Sequence, residues 1–223
     1  MDEIPSPLTD DFLLTLVHDL RAHVRRSLTS VQLAARSAGP LLDAESRPRF
    51  DQAIEANRDL EKFLARLADY AGAAHASGGR PLPLSVVVQA ALLQFPSHSF
   101  ELGAFPMAAQ QIMVPPEIVR TLIELIDNAL KFSHNAPVSI LMEETADTVC
   151  VVVCDSGVGI PIEHQDRVFD LLFRLHSRDE FPGFGLGLPI CRRTAGLAGA
   201  RVGVAPGPGG GTRATLFIPT THH

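Results

Sequence analysis

The 223-residue chain has no tryptophan, one tyrosine and three cysteines, and it contains no long apolar run. An odd, small number of cysteines excludes a disulfide framework in a chain of this length. No stretch approaches the roughly 20 apolar residues of a spanning helix, and the N-terminus lacks the segments of a signal peptide. The net charge of −6 disfavours a nucleic-acid backbone as the main partner. We therefore expect a cytoplasmic protein with no membrane span and no nucleic-acid partner.

Two of the cysteines lie in a valine-rich segment whose side chains would alternate between the two faces of a strand. Cys150 and Cys154 are four residues apart within Val149–Cys154, so a strand would place both on one face. Core packing is the favoured interpretation, and redox or metal chemistry is the alternative. The nine histidines form no recognisable metal-binding cluster in the sequence.

The two halves of the chain differ in composition. Residues 8–76 contain no glycine before Gly39 and predict two helices that form a hairpin, with a break at Gly39-Pro40. Small residues at 76–81 predict a linker. We expect a first domain over residues 8–76 and a second over residues 81–220.

The second half mixes helical and strand periods. Strands are expected at 110–114, 138–143, 149–155, 201–205 and 212–218, and helices at 85–95, 116–132 and 188–198. This pattern predicts an α+β sandwich, with helices over one face of a mixed sheet. Residues 157–184 form a candidate functional loop with a short helical piece around 163–169.

His18 lies on the first predicted helix. The apolar positions of that helix form one stripe, and His18 falls roughly 135° from its centre, which predicts a solvent-facing imidazole. Asp19 follows directly and could orient or deprotonate the ring. Arg21 and Arg25 share the face of His18 and suit a phosphate or an acidic protein surface. A solvated polar face that carries a histidine by chance is the alternative. The stripe consists of Leu13, Val17, Leu20, Val24, Leu28 and Val31.

A two-helix hairpin buries only one side of itself. Further apolar positions predict that two copies pair into a four-helix bundle, so we expect a homodimer. These positions are Phe12, Leu16, Leu60, Phe63, Leu64 and Leu67.

The helix predicted at 116–132 presents three polar residues on one face. Glu124, Asn128 and Lys131 occur at i, i+4 and i+7. An amide oxygen, a carboxylate and an ammonium on one stripe suit a metal-bound phosphate. A salt-linked, solvated face is an equally good interpretation of these three residues alone.

Three glycine-rich segments occur in the second half: one ends a predicted strand, one opens a predicted helix and one precedes the last predicted strand. Asp155 ends a strand and could accept a hydrogen bond from an exocyclic amine, while Gly157 and Gly159 let backbone approach a flat base. The segment Gly183–Ile190 opens a helix after glycines and offers free N–H groups to phosphates. Thr212, after three glycines, could reach a bound base. Each signal is weak alone, and their order along the chain is what is specific.

In that order the chain resembles the sensor histidine kinases of two-component systems over nearly its whole length. The segment 173–181 is especially similar to kinases of the phytochrome-associated branch. The matching segments are His18–Arg21 with the phosphoacceptor box, Glu124–Phe132 with the N box, Asp155–Ile160 with the first glycine box, Val168–Phe173 with the F box, and Gly183–Leu188 with the second glycine box.

The resemblance implies a dimerisation and histidine-phosphotransfer hairpin followed by an ATP-binding domain of the Bergerat (GHKL) type. It implies that His18 attacks the γ-phosphoryl group of ATP, that Asp19 acts as base or orienter, and that the phosphoryl group passes to an aspartate on a response-regulator receiver domain. The implied ATP and Mg²⁺ contacts are Asn128 as metal ligand, Lys131 at phosphate, Asp155 at the adenine amine, Gly157 and Gly159 along the base, and Gly183, Gly185 and Gly187 at the phosphates.

Three positions depart from the family pattern. His23 stands where a proline is usual, so the helix bend that proline brings is not expected. Ala22 replaces the residue that positions a hydrolytic water, so we expect weak or no phosphatase activity. Glu124 stands where many members have asparagine, and related ATPases use glutamate there to activate water.

Three functions remain open on the sequence. The leading one is an ATP-dependent protein-histidine kinase. The alternatives are a phosphotransfer or docking module with an impaired ATP domain, and a GHKL-type ATPase or serine kinase with a non-histidine target. The two predicted domains leave no room for a sensor, so the input is expected from a separate protein or from a longer chain of which this is the core.

Overall fold

The computed structural model describes residues 10–73 and 78–220, without the side chains of Pro40 and Ala108. The chain divides into two compact units after Gly72. Ala76 and Ser77 of the predicted linker, and residues 8, 9 and 74–76 of the predicted first domain, lie outside the described residues.

The first unit is a hairpin of two helices, α1 (Asp10–Ala38) and α2 (Ser46–Gly72). A short 3-10 turn at Gly39–Leu41 ends α1, since Pro40 cannot continue the hydrogen-bond ladder. Asp43 lies just before α2: its Oδ1 accepts the backbone N–H of Ser46 at 2.7 Å, which lowers the pKa of the Asp43 carboxyl.

The seam of the hairpin consists of buried Val17, Val24 and Leu64, with Leu13, Phe63, Leu67 and Ala68 packed against them. Leu64 is only 2% exposed, so its predicted place among the outward apolar positions was wrong. Leu20, predicted on the buried stripe, is exposed instead, together with Phe12, Leu16 and Leu60. An apolar set on both helices therefore remains uncovered within one hairpin.

The second unit begins with a short antiparallel pair of β1 (Leu82–Pro83) and β3 (Met113–Val114). Its main sheet has five strands, β2 (Phe100–Leu102), β4 (Val138–Glu144), β5 (Thr148–Cys154), β6 (Arg201–Pro206) and β7 (Thr212–Pro219). Their order across the sheet is β2-β4-β5-β7-β6. The β2–β4 pair is parallel and the other pairs are antiparallel, so the predicted mixed sheet is confirmed.

One continuous core joins the sheet to three helices, α3 (Leu84–Leu92), α5 (Ile118–Phe132) and α6 (Gly187–Leu197). Alternation along β5 sends its odd-numbered valines into this core. Cys150 and Cys154 lie on the opposite face, buried with Val152 against Leu141 and Phe217. Burial raises the pKa of both thiols, as the predicted packing role requires.

One local expectation was wrong, a second was right only in part, and one strand was not expected. Gln110 does not begin a strand but ends a short helix, α4 (Met107–Gln110). The helical piece expected around residues 163–169 is two separate 3-10 turns, Ile162–His164 and Arg167–Phe169. The strand β2 was not predicted, because three residues are too few for a period to show. Within the described ranges, no helix is long and apolar enough to cross a membrane.

Candidate functional site

Asp155 is fixed at the carboxyl end of β5. It is buried, and its Oδ1 accepts the backbone N–H groups of Gly157 at 2.9 Å and Thr212 at 3.1 Å. Its own N–H donates to the Thr212 carbonyl at 3.0 Å. Both side-chain bonds that the structure gives for Asp155 use Oδ1. The oxygen Oδ2 therefore keeps lone pairs for a further donor, such as an exocyclic amine.

The glycines around Asp155 allow three backbone segments to meet. A Cβ on Gly157 would lie 1.9 Å from the carbonyl oxygen of Phe132, and a Cβ on Gly211 would lie 2.0 Å from that of Asp155. Gly159 has φ +67° and its Cβ would lie 2.2 Å from the Gly210 carbonyl oxygen. The end of α5, the Asp155 turn and the turn before β7 are thus in direct contact, which only glycine permits here.

Glu124 and Asn128 converge on the first residue of α6. A Cβ on Gly187 would lie 3.2 Å from Asn128 Oδ1 and 3.5 Å from Glu124 Oε2. Glu124 is 4% exposed, with Arg120 Nε 3.7 Å from its Oε1, so the solvated-face interpretation was wrong for this residue. Asn128 Nδ2 is buried and has no hydrogen-bond partner in the structure. An unsatisfied buried amide costs free energy and is typical of a group that awaits a ligand.

The start of α6 offers backbone donors at the same place. No side chain caps this helix, and its first turn carries no acidic residue. The N–H groups of Gly187 and Leu188 have no partner within the helix, because the first turn of any helix leaves them free. The positive end of the helix dipole adds to their attraction for an anion.

The lid loop, residues 173–185, brings cationic side chains to this end of the site. A Cβ on Gly183 would lie 2.7 Å from Lys131 Nζ, which reaches across from α5. Arg174 donates to the carbonyl oxygen of Gly183, and the guanidinium of Arg178 lies 4.8 Å from the ring centroid of Phe184. Three cations therefore surround the second glycine segment.

The second unit thus holds two kinds of chemistry along one helix. From Phe132, which contacts the Asp155 turn, to Glu124, which faces α6, α5 rises about 12 Å. One end has a carboxylate and close-packed glycines that suit a planar base bearing an amine. The other end has oxygen ligands, cations and free N–H groups that suit phosphates and a hard cation.

His18 is in the first unit, on α1. Its side chain is 86% exposed, as predicted, and its Nδ1 lies 3.3 Å from Asp19 Oδ1. Arg25 Nε lies 3.2 Å from Glu61 Oε1 on α2, and its suitability for a phosphate or an acidic protein surface stays a prediction. Arg21 Nε is buried and has no hydrogen-bond partner in the structure.

Sequence reasoning missed the roles of Arg174 and Arg178. Both lie in the segment 173–181, and its resemblance to one branch of kinases implies no function for either arginine. Their signal in the sequence is weak, since an arginine in a polar loop is usually solvated. Their position near the glycines shows only when the loop is folded.

Gly185 is the glycine of the lid loop whose replacement is expected to cost most. It has φ +68°, and a Cβ there would lie 2.6 Å from the Phe173 carbonyl oxygen. Gly185→Ala should lower the free energy of unfolding of the second unit by about 1–3 kcal/mol. Gly196→Ala is the matched control, because a Cβ at this position of α6 meets nothing within 4 Å. The higher helix propensity of alanine should raise the free energy of unfolding of this variant by up to about 1 kcal/mol. Urea unfolding measures the stability of both variants. Equal unfolding midpoints for Gly185→Ala and Gly196→Ala would contradict the close approach of Gly185 to the Phe173 carbonyl oxygen.

Comparison with known proteins identifies the relatives of this chain. Residues 113–222 match the family of histidine kinase-, DNA gyrase B- and HSP90-like ATPases. The adaptive-response sensory kinase SasA of Gloeothece citriformis is 30% identical over 205 residues, which are 82% of this chain and 51% of that protein. The SasA kinase of Parasynechococcus marenigrum is 40% identical over 103 residues, which are 45% of this chain and 27% of the relative. The chain therefore spans about half, or less, of the length of these curated relatives.

Solved structures show the same fold. The crystal structure of full-length ShkA in complex with AMPPNP matches 95% of this chain and 46% of its own, with a TM-score of 0.66 and 23% identity. The Acinetobacter baumannii histidine kinase AdeS matches 90% of this chain and 98% of its own, with a TM-score of 0.61 and 19% identity. The match of residues 113–222 and the SasA relatives lead to one conclusion: this chain is a homologue of the sensor histidine kinases, and its second unit contains an ATPase domain of the histidine kinase-, DNA gyrase B- and HSP90-like family.

Proposed function

We propose that the chain is an ATP-dependent protein-histidine kinase that phosphorylates His18 and passes the phosphoryl group to an aspartate of a response-regulator receiver domain. The observation that carries the proposal is the unsatisfied amide of Asn128, buried beside Glu124 at the uncapped start of α6. Because Nδ2 is a donor whose burial without a partner costs free energy, the ligand it awaits is an acceptor such as a phosphate oxygen.

Asp155 is the proposed contact for adenine. Its Oδ1 is occupied by two backbone N–H groups, so the carboxylate is held rigidly and Oδ2 is left to accept the exocyclic amine. Gly157 and Gly159, whose lack of a Cβ lets neighbouring backbone segments pack closely, are proposed to line the base. Thr212 is held beside the carboxylate through its backbone. Guanine has a carbonyl where adenine has this amine, so the site should select adenine.

The phosphates would lie between α5 and α6. Lys131 and the free N–H groups of Gly187 and Leu188 would bind them, with Gly183 and Gly185 allowing the lid loop to approach. No group of three or more histidine, cysteine or acidic residues that could hold a metal occurs in the described part of the chain. Mg²⁺ fits this site as an ion shared with phosphate, with Asn128 Oδ1 and Glu124 as oxygen ligands nearby. When bound, it neutralises charge on the phosphates.

His18 is the proposed phosphoacceptor. Asp19 Oδ1 can accept the Nδ1–H proton, which leaves the lone pair on Nε2 as the nucleophile. Attack by Nε2 on the γ-phosphorus forms the N–P bond and releases ADP, while Asp19 stabilises or accepts the ring proton. The exposure of the ring leaves it open to both an ATP domain and a receiver domain.

Dimerisation would complete the first unit. Phe12, Leu16, Leu20 and Leu60 are exposed on the two helices, and a second hairpin would cover them in a four-helix bundle. In this proposal the dimerisation and phosphotransfer domain spans residues 8–76 and the ATP domain residues 81–220. A separate sensor protein is a further proposed partner.

Incubation with γ-labelled ATP and Mg²⁺ tests the proposal. A protein-histidine kinase incorporates label that is lost in acid and is stable in alkali. Phosphate release with no stable label would favour an ATPase, the second candidate, for which buried Glu124 beside Asn128 supplies a carboxylate able to activate water. Absence of any nucleotide binding would favour a docking module and contradict the proposal.

Asp155→Asn tests the adenine contact. The substitution keeps the shape and an acceptor for Gly157, but an amide N–H then faces the exocyclic amine. Loss of one charged hydrogen bond of about 1.5–3 kcal/mol should weaken ADP binding roughly 10- to 100-fold and leave weak GDP binding unchanged or improved. Calorimetric titration measures both. An equal loss of affinity for ADP and for GDP would assign Asp155 a structural role only.

A further inference from the structure

The lid loop is closed at its base by its own backbone. The Leu172 N–H donates to the Gly185 carbonyl at 3.1 Å, so the two ends of the loop are adjacent. Between them lies no helix or strand, apart from single turns. The carbonyl groups of such a loop need partners other than a regular ladder.

Arg174 supplies three of those partners. Its Nε donates to the His176 carbonyl at 3.2 Å, its Nη2 to the Phe181 carbonyl at 3.0 Å, and its Nη1 to the Gly183 carbonyl. One guanidinium thereby ties the start of the loop to two points near its end. The planar fork of arginine is suited to this, whereas a lysine ammonium acts as a single point charge.

The contacts of Arg174 are backbone oxygens rather than a carboxylate. Burial lowers the pKa of the Arg174 guanidinium, and nearby Arg178 lowers it further, so the surroundings disfavour this cation. The guanidinium nevertheless donates hydrogen bonds from Nε, Nη1 and Nη2 to three backbone carbonyl oxygens of the loop. This geometry is that of a group that shapes the loop and does not itself face the ligand.

The ring of Phe181 fixes the loop by a second kind of contact that does not involve Arg174. Phe181 is buried, with its ring centroid 4.8 Å from that of Phe132 on α5 and 5.3 Å and 5.1 Å from those of His134 and His176. Loss of the Arg174 contacts would therefore loosen the segment around Gly183 while Phe181 remains packed. The fold of the unit should survive the substitution.

We infer that Arg174 is a positioning residue: it holds the lid loop in the shape that places Gly183 and Gly185 against the phosphates of a bound nucleotide, and so sets nucleotide affinity. The inference rests on the proposed function for its ligand. It concerns loop order, which can be measured with no nucleotide present.

The test compares the full chain with Arg174→Lys, Arg174→Met and the control Arg201→Lys. Arg201 is the first residue of β6, outside the lid loop, and its guanidinium lies 5.7 Å from the ring centroid of Phe217. Trypsin cleavage after Arg178, followed by mass spectrometry, reports loop order. Calorimetry reports ADP affinity, and γ-labelled ATP at saturation reports the maximal rate.

Both Arg174 variants should be cleaved after Arg178 several-fold faster than the parent chain without nucleotide, and should bind ADP roughly 10- to 100-fold more weakly. Their labelling rate at saturating ATP should fall less than their affinity. Arg201→Lys should match the parent. Unchanged cleavage and affinity with a reduced maximal rate would overturn the inference and assign Arg174 to the reacting phosphate. If the parent chain binds no ADP, the proposed function fails, and the cleavage comparison still decides whether Arg174 orders the loop.

Discussion

His18→Gln is expected to reduce transfer of the γ-phosphoryl group to the protein by at least about 1,000-fold, to the background of the assay. A glutamine amide has no nucleophilic lone pair comparable to that of imidazole Nε2, so no covalent intermediate can form. The side chain is 86% exposed and contributes nothing to the seam of the hairpin. The unfolding free energy and the ADP affinity should therefore be unchanged.

His23→Gln is the matched control for this variant. His23 lies five positions further along α1 and is also exposed, with its Nδ1 3.0 Å from Arg26 Nη2. We expect the His23→Gln variant to incorporate as much label from γ-labelled ATP as the parent chain does. Full labelling of His18→Gln, or loss of labelling in His23→Gln alone, would place the phosphoacceptor elsewhere.

Asn128→Ala is expected to abolish labelling and the Mg²⁺-dependent part of nucleotide binding. The substitution removes the proposed oxygen ligand from the face of α5 that meets Gly187. The unfolding free energy should stay within about 1 kcal/mol of the parent, since Nδ2 makes no hydrogen bond that the change could remove. Titration of ADP with Mg²⁺, and with EDTA in its place, separates metal-dependent from metal-independent affinity.

Asp127→Ala controls for the loss of a polar residue on the same helix. Asp127 is the preceding residue of α5 and is exposed, so its removal should leave labelling and ADP binding unchanged. A strong destabilisation by Asn128→Ala, with parent-like affinity for Mg²⁺-ADP, would show that Asn128 serves packing and would remove the observation on which the proposed function rests.

Much of the site could be predicted because its residues lie on periodic elements. The spacing of Glu124, Asn128 and Lys131 predicts one helix face, and the structure directs Glu124 and Asn128 to Gly187 and Lys131 to Gly183. Alternation along β5 predicts the shared face of Cys150 and Cys154. Regular geometry converts a spacing in sequence into a direction in space.

The remaining features depend on contacts between distant segments. The Asp155 carboxylate is held by the N–H of Thr212, which lies in another strand, and no local pattern encodes that pairing. The Arg174 contacts follow from how an irregular loop folds, and such a loop has no period. The burial of Leu64 and the exposure of Leu20 depend on the rotation of α1 against α2, which a helical wheel with ideal angles does not determine.

Locating the phosphoryl group on the chain tests the central claim most directly. Trypsin releases residues 1–21, in which His18 is the sole histidine, and residues 22–25, which carry His23. After incubation with γ-labelled ATP and Mg²⁺, digestion and chromatography at neutral to alkaline pH preserve a phosphohistidine. The account predicts that the label is in the peptide 1–21 and is lost on brief acid treatment. Label in the peptide 22–25, in any peptide of the second unit, or in an acid-stable form would contradict it.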